Sequence, residues 1–142
     1  MRVSDVLRNK GNTVQTVQPG ATVRELLGSL AEHNIGAAVV SADGQTIVGI
    51  VSERDVVRQL HQRGADLLEV TVADIMTADV RTSTPEEALD DLRATMTKHR
   101  IRHVPVVQDG HIAGLVSIGD VVKSTISELE TEREHLVGYI QS

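Results

Sequence analysis

The sequence predicts a mixed α/β fold of the α+β kind: two pseudo-symmetric β-α-β-β-α repeats packed sheet to sheet, with a C-terminal helical extension. Three observations carry this. The chain duplicates itself internally, short β-branched runs alternate with amphipathic helical stretches in each copy, and an Asp-Gly pair separates two such runs at the same place in both.

The duplication is direct. Val3-Ser4-Asp5-Val6-Leu7 returns as Val72-Ala73-Asp74-Ile75-Met76, and Ala31-Glu32-His33-Asn34-Ile35 as Thr97-Lys98-His99-Arg100-Ile101. Gly49-Ile50-Val51-Ser52-Glu53-Arg54-Asp55-Val56-Val57 returns as Gly114-Leu115-Val116-Ser117-Ile118-Gly119-Asp120-Val121-Val122. Residues 1–60 form the first repeat, 61–71 a connector, 72–126 the second repeat and 127–142 the extension. A unit this small buries too little apolar surface to be secure alone, which is why the two halves are expected to pack against each other.

Each half opens with a lead-in segment and an extended stretch. A helix follows over Thr22 to His33, with Val23, Leu26, Leu27 and Leu30 on one face and Thr22 and Glu25 placed for a capping box. Its counterpart runs from Pro85 to His99, with Thr84 as cap and Ala88, Leu89, Leu92 and Met96 on one face. Strands are expected over Ala37 to Val40 and Ile47 to Ser52 around Asp43-Gly44, and over Val104 to Val107 and Ile112 to Ser117 around Asp109-Gly110. In the connector, Gly64 can stop the preceding helix, and Leu67, Leu68 and Val70 argue that the segment is docked.

Composition narrows the function. The 142 residues include 21 valines and 9 isoleucines but no Cys, Trp or Phe, so the core is aliphatic and thiol chemistry, disulfides and cysteine zinc sites drop out. A net charge of -6 and a single Tyr, Tyr139, make nucleic acid an unsuitable partner. No apolar run is long enough to span a membrane, and the expected setting is the cytoplasm. His99 and His103 have the four-residue spacing of a helical zinc pair, but Ile101 and Val104-Pro105 turn that segment into a strand, so no metal site is expected. No histidine accompanies Ser52 or Ser117 in the repeated motif, and an enzyme is not expected.

The repeated Gly-h-Val-Ser-x-x-Asp, with h aliphatic, reads in two ways. Ser52 and Ser117 are natural N-caps, with Asp55 and Asp120 completing a capping arrangement at the third helical position. The same geometry suits a phosphorylated ribose: a carboxylate for the vicinal diol, and amides and a hydroxyl for the phosphate.

With Ile101-Arg102-His103-Val104-Pro105-Val106-Val107, these motifs make the chain, from residue 3 to about 126, resemble a tandem pair of cystathionine-β-synthase (CBS) domains, the Bateman module of free-standing CBS-pair proteins. The resemblance implies two related clefts for an adenosine compound of the AMP, ADP, ATP, NAD or S-adenosylmethionine class, bound as a regulatory ligand with no required cofactor. It places Asp55 and Asp120 on ribose hydroxyls, Ser52 and Ser117 near phosphates, and Arg54 and Gly119 on the same rims. Asn12, Gly36 and Ala37 would face the Asp120 cleft, and Ala78, Arg102 and His103 the Asp55 cleft. It further implies a non-enzymatic sensor acting on a separate regulated protein. Arg102 reads either as a phosphate clamp or as a solvated charge paired with Asp109 or Glu53. Val39 stands where the second repeat has Pro105, a departure from the pattern.

From Asp120 on, Val122, Ile126, Leu129, Arg133, Leu136 and Ile140 recur at four- and three-residue steps, a seam for a homodimer or for the helix to fold back on its own domain.

Overall fold

The computed structural model describes residues 1–11 and 13–141. The elements run α1 (Val3–Lys10), β1 (Thr16–Val17), α2 (Val23–His33), β2 (Ala37–Val40), β3 (Gly49–Ser52) and α3 (Glu53–Arg63). A 3-10 turn (Gly64–Glu69) leads to α4 (Val72–Ile75), α5 (Leu89–His99), β4 (His103–Gln108), β5 (His111–Ser117) and α6 (Ile118–Gln141). The first half carries a three-stranded sheet in the order β1-β2-β3, with β1 parallel and β3 antiparallel to β2. In the second half β4 and β5 form an antiparallel hairpin, and the strand equivalent to β1 shrinks to one parallel bridge between Ser83 and Val106.

Both leading helices end alike. Asn34 and Arg100 adopt left-handed backbone, and Ile35 N–H and Ile101 N–H reach back to the Leu30 and Met96 carbonyls at 3.0 and 3.1 Å. This is the Schellman closure, achieved without glycine in both halves. Their starts differ. Thr22 caps α2 by accepting from Glu25 N–H at 3.2 Å, but the expected capping box is only half formed, with no hydrogen bond back to the Glu25 carboxylate among the described residues. Helix α5, however, begins at Leu89 and not at Pro85. The residues between are committed elsewhere: Pro85 and Glu87 carbonyls accept from Ser4 and Val3, and Ser83 Oγ donates to Glu87 Oε1 at 2.6 Å.

The two Asp-Gly turns also diverge. Asp109 and Gly110 both have positive φ, 53° and 79°, and close a two-residue hairpin of the primed type. In the first half Gly44 alone does, and the pairing of β2 with β3 stops at Gly49, two residues short of the expected start. There the Asp43 carboxylate organises the loop, accepting from the amides of Gln45 and Thr46 at 2.8 and 2.7 Å and from two hydroxyls. The amides of Thr46 and Gln45 are the main reason its pKa lies far below the usual carboxylate range.

The core separates into two aliphatic clusters, and each borrows from the other half. Val23, Leu26, Leu30, Ala38, Val40 and Val51 of the first half surround Val72 and Ile75 of α4, with Leu67 of the connector. Leu89, Leu92, Met96, Val104, Val106 and Val116 of the second surround Val3 and Val6 of α1. The backbone follows the same exchange: Val3, Ser4 and Leu89 amides bond the carbonyls of Glu87, Pro85 and Met1, while Val72, Ala73 and Val23 amides bond those of Ala21, Pro19 and Val70, all within 2.8–3.0 Å. Ala37 and Val39, on the other face of β2, and Pro105 on β4 are buried as well, as strands covered on both faces require.

Helix α6 packs only at its base. Val121 is its one buried residue among those described, and Arg93 donates to Thr125 Oγ1 at 2.7 Å. From Leu129 to Gln141 every residue is exposed, so the helix projects and does not fold back. No helix of the described residues is long and apolar enough to cross a membrane.

Gly49 and Gly114 hold equivalent places where a lead-in segment crosses the sheet. A methyl group on Gly49 would lie 2.5 Å from Met76 Sδ and 3.0 Å from the Thr77 carbonyl oxygen; on Gly114 the three nearest atoms would all belong to the Leu7 side chain, the first at 2.5 Å. Backbone yields less readily than a leucine terminus. Gly49→Ala is therefore expected to cost roughly 1–3 kcal/mol and Gly114→Ala clearly less, as read by urea unfolding; equal losses would show that the Thr77 backbone gives way.

Candidate functional site

In each half a strand runs into a helix at the repeated serine. Ser52 and Ser117 have closely matched surroundings: each amide donates to the carboxylate Oδ2 three residues on, at 2.9 Å, and each hydroxyl accepts from the Asp55 or Asp120 amide, at 3.3 and 3.1 Å. Ser52 Oγ also lies 3.1 Å from Asp55 Oδ2. These are capping boxes with Asp at the third helical position. In each carboxylate the other oxygen, Oδ1, has no hydrogen bond among the described residues.

The first amides of both helices are largely spent. Glu53 N–H bonds the Gly36 carbonyl at 2.9 Å and Ile118 N–H the Arg102 carbonyl at 2.8 Å. With Asp55 and Asp120 amides on the serines, only those of Arg54 and Gly119 stay open among the first three. The expectation of several free amides for a phosphate is thus corrected to one per helix, at the two rim positions named from sequence. The Arg54 side chain is exposed, and Gly119 is exposed too.

The residues expected on the opposing walls are distributed unevenly. Ala37 is buried and paired with Ser52 across β2 and β3, and His103 is paired with Ser117 across β4 and β5. Gly36 and His103, assigned from sequence to opposite clefts, meet at the junction: a methyl on Gly36 would lie 3.7 Å from the His103 ring and 3.2 Å from Glu53 Oε1. Burial lowers the pKa of His103, as does Lys10, against smaller opposing effects of Glu53 and Asp120. Arg102 is exposed and pairs with neither Asp109 nor Glu53 among the described residues, and Ala78 is exposed. Asn12 lies outside the described residues. No group of three or more potential metal-ligating side chains occurs among those described.

One residue of the site escapes sequence reading. Lys10, the last residue of α1, donates from Nζ to Asp120 Oδ2 and to the Leu115 carbonyl, both at 2.6 Å. Burial would raise the Asp120 pKa, but the Lys10 hydrogen bond and charge and the Ser117 amide outweigh it, and the carboxyl lies below its ordinary value. The first half solves the same place with backbone: Thr77 exchanges two 2.9 Å hydrogen bonds with Ile50, the counterpart of Leu115. Only the longer α1, continuing to Lys10 where α4 stops at Ile75, brings a cation there. A cavity of about 460 Å³ opens beside the pair, between α1 and α6.

A family model described as CBS domain matches residues 3–62 and again 72–126. The CBS domain-containing protein CBSX3, mitochondrial, of Arabidopsis thaliana is 37% identical, over 98% of this chain and 71% of its own length. Among solved structures, the CBS-domain containing protein ATU1752 from Agrobacterium tumefaciens is 43% identical with a TM-score of 0.85, covering 88% of this chain and 99% of its own. The CBS domain pair of protein MJ0100, solved in complex with 5′-methylthioadenosine and S-adenosyl-L-methionine, is 27% identical with a TM-score of 0.78, over 88% of this chain and 99% of that one. The duplicated motif, the exchanged lead-in helices and these likenesses agree: the chain belongs to the CBS domain family, as a tandem pair.

Proposed function

We propose that this CBS pair is a non-enzymatic regulatory module that binds an adenosine compound of the AMP, ADP, ATP, NAD or S-adenosylmethionine class and passes its occupancy to a separate protein. The observation that carries the reading is the duplicated carboxylate: Asp55 and Asp120 are each fixed through Oδ2 and leave Oδ1 without a hydrogen bond among the described residues. A carboxylate held in that way is prepared to accept from a ribose diol, and a hydrogen bond to a charged group contributes roughly 1.5–3 kcal/mol. The ligands of the MJ0100 pair are of this chemical class. Ser52, Arg54, Ser117, Gly119 and the wall residues Asn12, Gly36, Ala37, Ala78, Arg102 and His103 are assigned supporting roles around the two clefts.

A second reading has its own observation. Both aspartates already complete capping boxes, which suffices for a constitutive interaction scaffold without ligand.

The exposed seam of α6 supports a homodimer. Val122, Ile126, Leu129, Leu136 and Ile140 are all exposed, Leu136 to 64%, on a helix that leaves the body of the molecule. A stripe of that length in water is stabilised by a partner helix. Residence in the cytoplasm is part of the same proposal, although the curated Arabidopsis relative is named as mitochondrial.

Replacing each Asp by Asn keeps an acceptor for the serine amide and removes the charge that would hold a diol. Wild-type protein with adenosine ligand at a hundred times its Kd is expected to gain about 2.7 kcal/mol, read as a rise in melting temperature. Asp55→Asn and Asp120→Asn together should erase that rise; a panel of AMP, ATP, NADH and S-adenosylmethionine that moves nothing at millimolar concentration would leave the scaffold reading standing. Acid provides an independent check on the Asp120 environment. Its pKa is depressed in the folded state, so its stabilising contribution is complete above the unfolded value near 3.8 and is lost as pH falls through the folded one. The decline in melting temperature between pH 5 and pH 3 should be shallower in Asp120→Asn, though not abolished, since Asp5 and Asp43 are also lowered. For the dimer, light scattering after size exclusion should report twice the chain mass, and Leu129→Asp with Leu136→Asp should halve it; a wild-type monomer at micromolar concentration would refute the association.

A further inference from the structure

We propose that Lys10 decides which adenosine compounds the Asp120 cleft accepts: on binding, its ammonium passes from Asp120 to the ligand's phosphate, and the cleft takes nucleoside 5′-phosphates in preference to uncharged or cationic adenosine derivatives. The inference rests on the reading that Asp120 holds the ribose.

The carboxylate has a limited acceptor capacity. A vicinal diol presents two hydroxyl donors and is best met by both carboxylate oxygens. At Asp120, Oδ2 already receives the Ser117 amide at 2.9 Å and the Lys10 ammonium at 2.6 Å. Departure of Lys10 opens that oxygen. An ammonium leaving a half-buried carboxylate needs another anion, because an unpaired charge in such a place is costly. The ligand's own phosphate supplies it.

The cavity next to the pair has the composition to receive that phosphate. Its lining includes Asn9, Lys10, Lys123, Ser124 and Ser127 along with Asp120. Lys123 makes no ion pair among the described residues. The two lysine ammonium groups against one carboxylate leave an excess of positive charge beside the pair, which attracts a phosphate and repels a sulfonium. The helix start offers a phosphate the Gly119 amide and the Ser117 hydroxyl, neither of them charged, so a nearby cation supplies the neutralising charge.

The other cleft lacks this device. Asp79 stands seven residues after Val72, as Lys10 stands seven after Val3, so the duplication has placed opposite charges at one position. The Ile50 carbonyl, counterpart of Leu115, is taken by the Thr77 amide, and Asp55 has no ion pair among the described residues. Selection by a mobile cation is therefore confined to the Asp120 side.

The test is isothermal titration of the full chain in an Asp55→Asn background, so that the Asp120 cleft reports, with ADP and 5′-methylthioadenosine as probes. With Lys10 present, ADP is expected to bind the more tightly. Lys10→Met should weaken ADP roughly tenfold or more and leave 5′-methylthioadenosine unchanged or tighter, while Lys10→Arg should keep the preference for ADP. Equal weakening of both probes by Lys10→Met would make Lys10 a structural residue, equal tightening would make it a plug, and no change would make it a bystander; each overturns the inference. Binding of 5′-methylthioadenosine without preference for ADP in the Lys10 protein would end the selectivity claim alone. If neither probe binds that protein, the ribose-holding role of Asp120 falls first and this inference with it.

Discussion

The exchange of lead-in segments is the constraint on which the molecule depends. Neither half completes its own core: Val3 and Val6 fill the second cluster, and Val72 and Ile75 fill the first. A fully buried aliphatic side chain contributes roughly 1.5–3 kcal/mol relative to exposure, comparable in sum with the whole stability of a small domain. The six matching backbone hydrogen bonds orient those helices against the turns that precede α2 and α5. Removing one lead-in would leave a hole in the opposite half and a row of unsatisfied amides and carbonyls. This reciprocal packing brings the end of one lead-in segment over the strand that feeds the other half's capped helix, at Ile50 in one half and Leu115 in the other.

Much of the fold was legible because it depends on local chemistry. The repeat, the apolar faces of α2 and α5, the stop at Gly64 and the primed turn at Asp109-Gly110 each follow from residue type and spacing. What escaped was long-range. Nothing in Thr84-Pro85-Glu86-Glu87 reveals that its carbonyls will be claimed by Val3 and Ser4, so its cap-and-proline pattern announces a helix start that tertiary bonding postpones to Leu89. The loop after Asp43 resembles the later hairpin in sequence, yet the carboxylate captures two amides and a hydroxyl ahead and holds the strands apart until Gly49. Lys10 was equally invisible, since its partner lies 110 residues away. The available signal was a contrast within the repeat: Asn9-Lys10, closed by Gly11, stands where the second copy has Ala78-Asp79-Val80, and only the former continues a helix.

The asymmetry between halves follows from that contrast. A carbonyl on the strand before each capped serine needs a donor from the lead-in segment that crosses it. Met76-Thr77 leaves the helical path early enough for the Thr77 amide to serve, and both Ile50 backbone groups are satisfied by main chain. Helix α1 stays helical through Lys10 and closes with the Gly11 amide on the Leu7 carbonyl, so a side chain must reach instead. A backbone donor carries no net charge and has little freedom to move, whereas an ammonium on four methylenes has both. Duplication thus produced two capped helix starts alike in their carboxylates and unlike in what stands beside them.

Capping and ligand binding are compatible uses of one aspartate because they address different lone pairs. A capping box fixes the carboxylate through the oxygen nearest the serine amide, and the other oxygen makes no hydrogen bond among the described residues. Without the cap, a side chain of this kind would sample several rotamers, and a ligand would have to bear the entropy of choosing one. The cap has already imposed that choice during folding. Helix stability and a fixed carboxylate are then two consequences of the same two hydrogen bonds, so a fold economical enough to repeat a sixty-residue unit gains a pair of preorganised acceptors where each half starts its last helix.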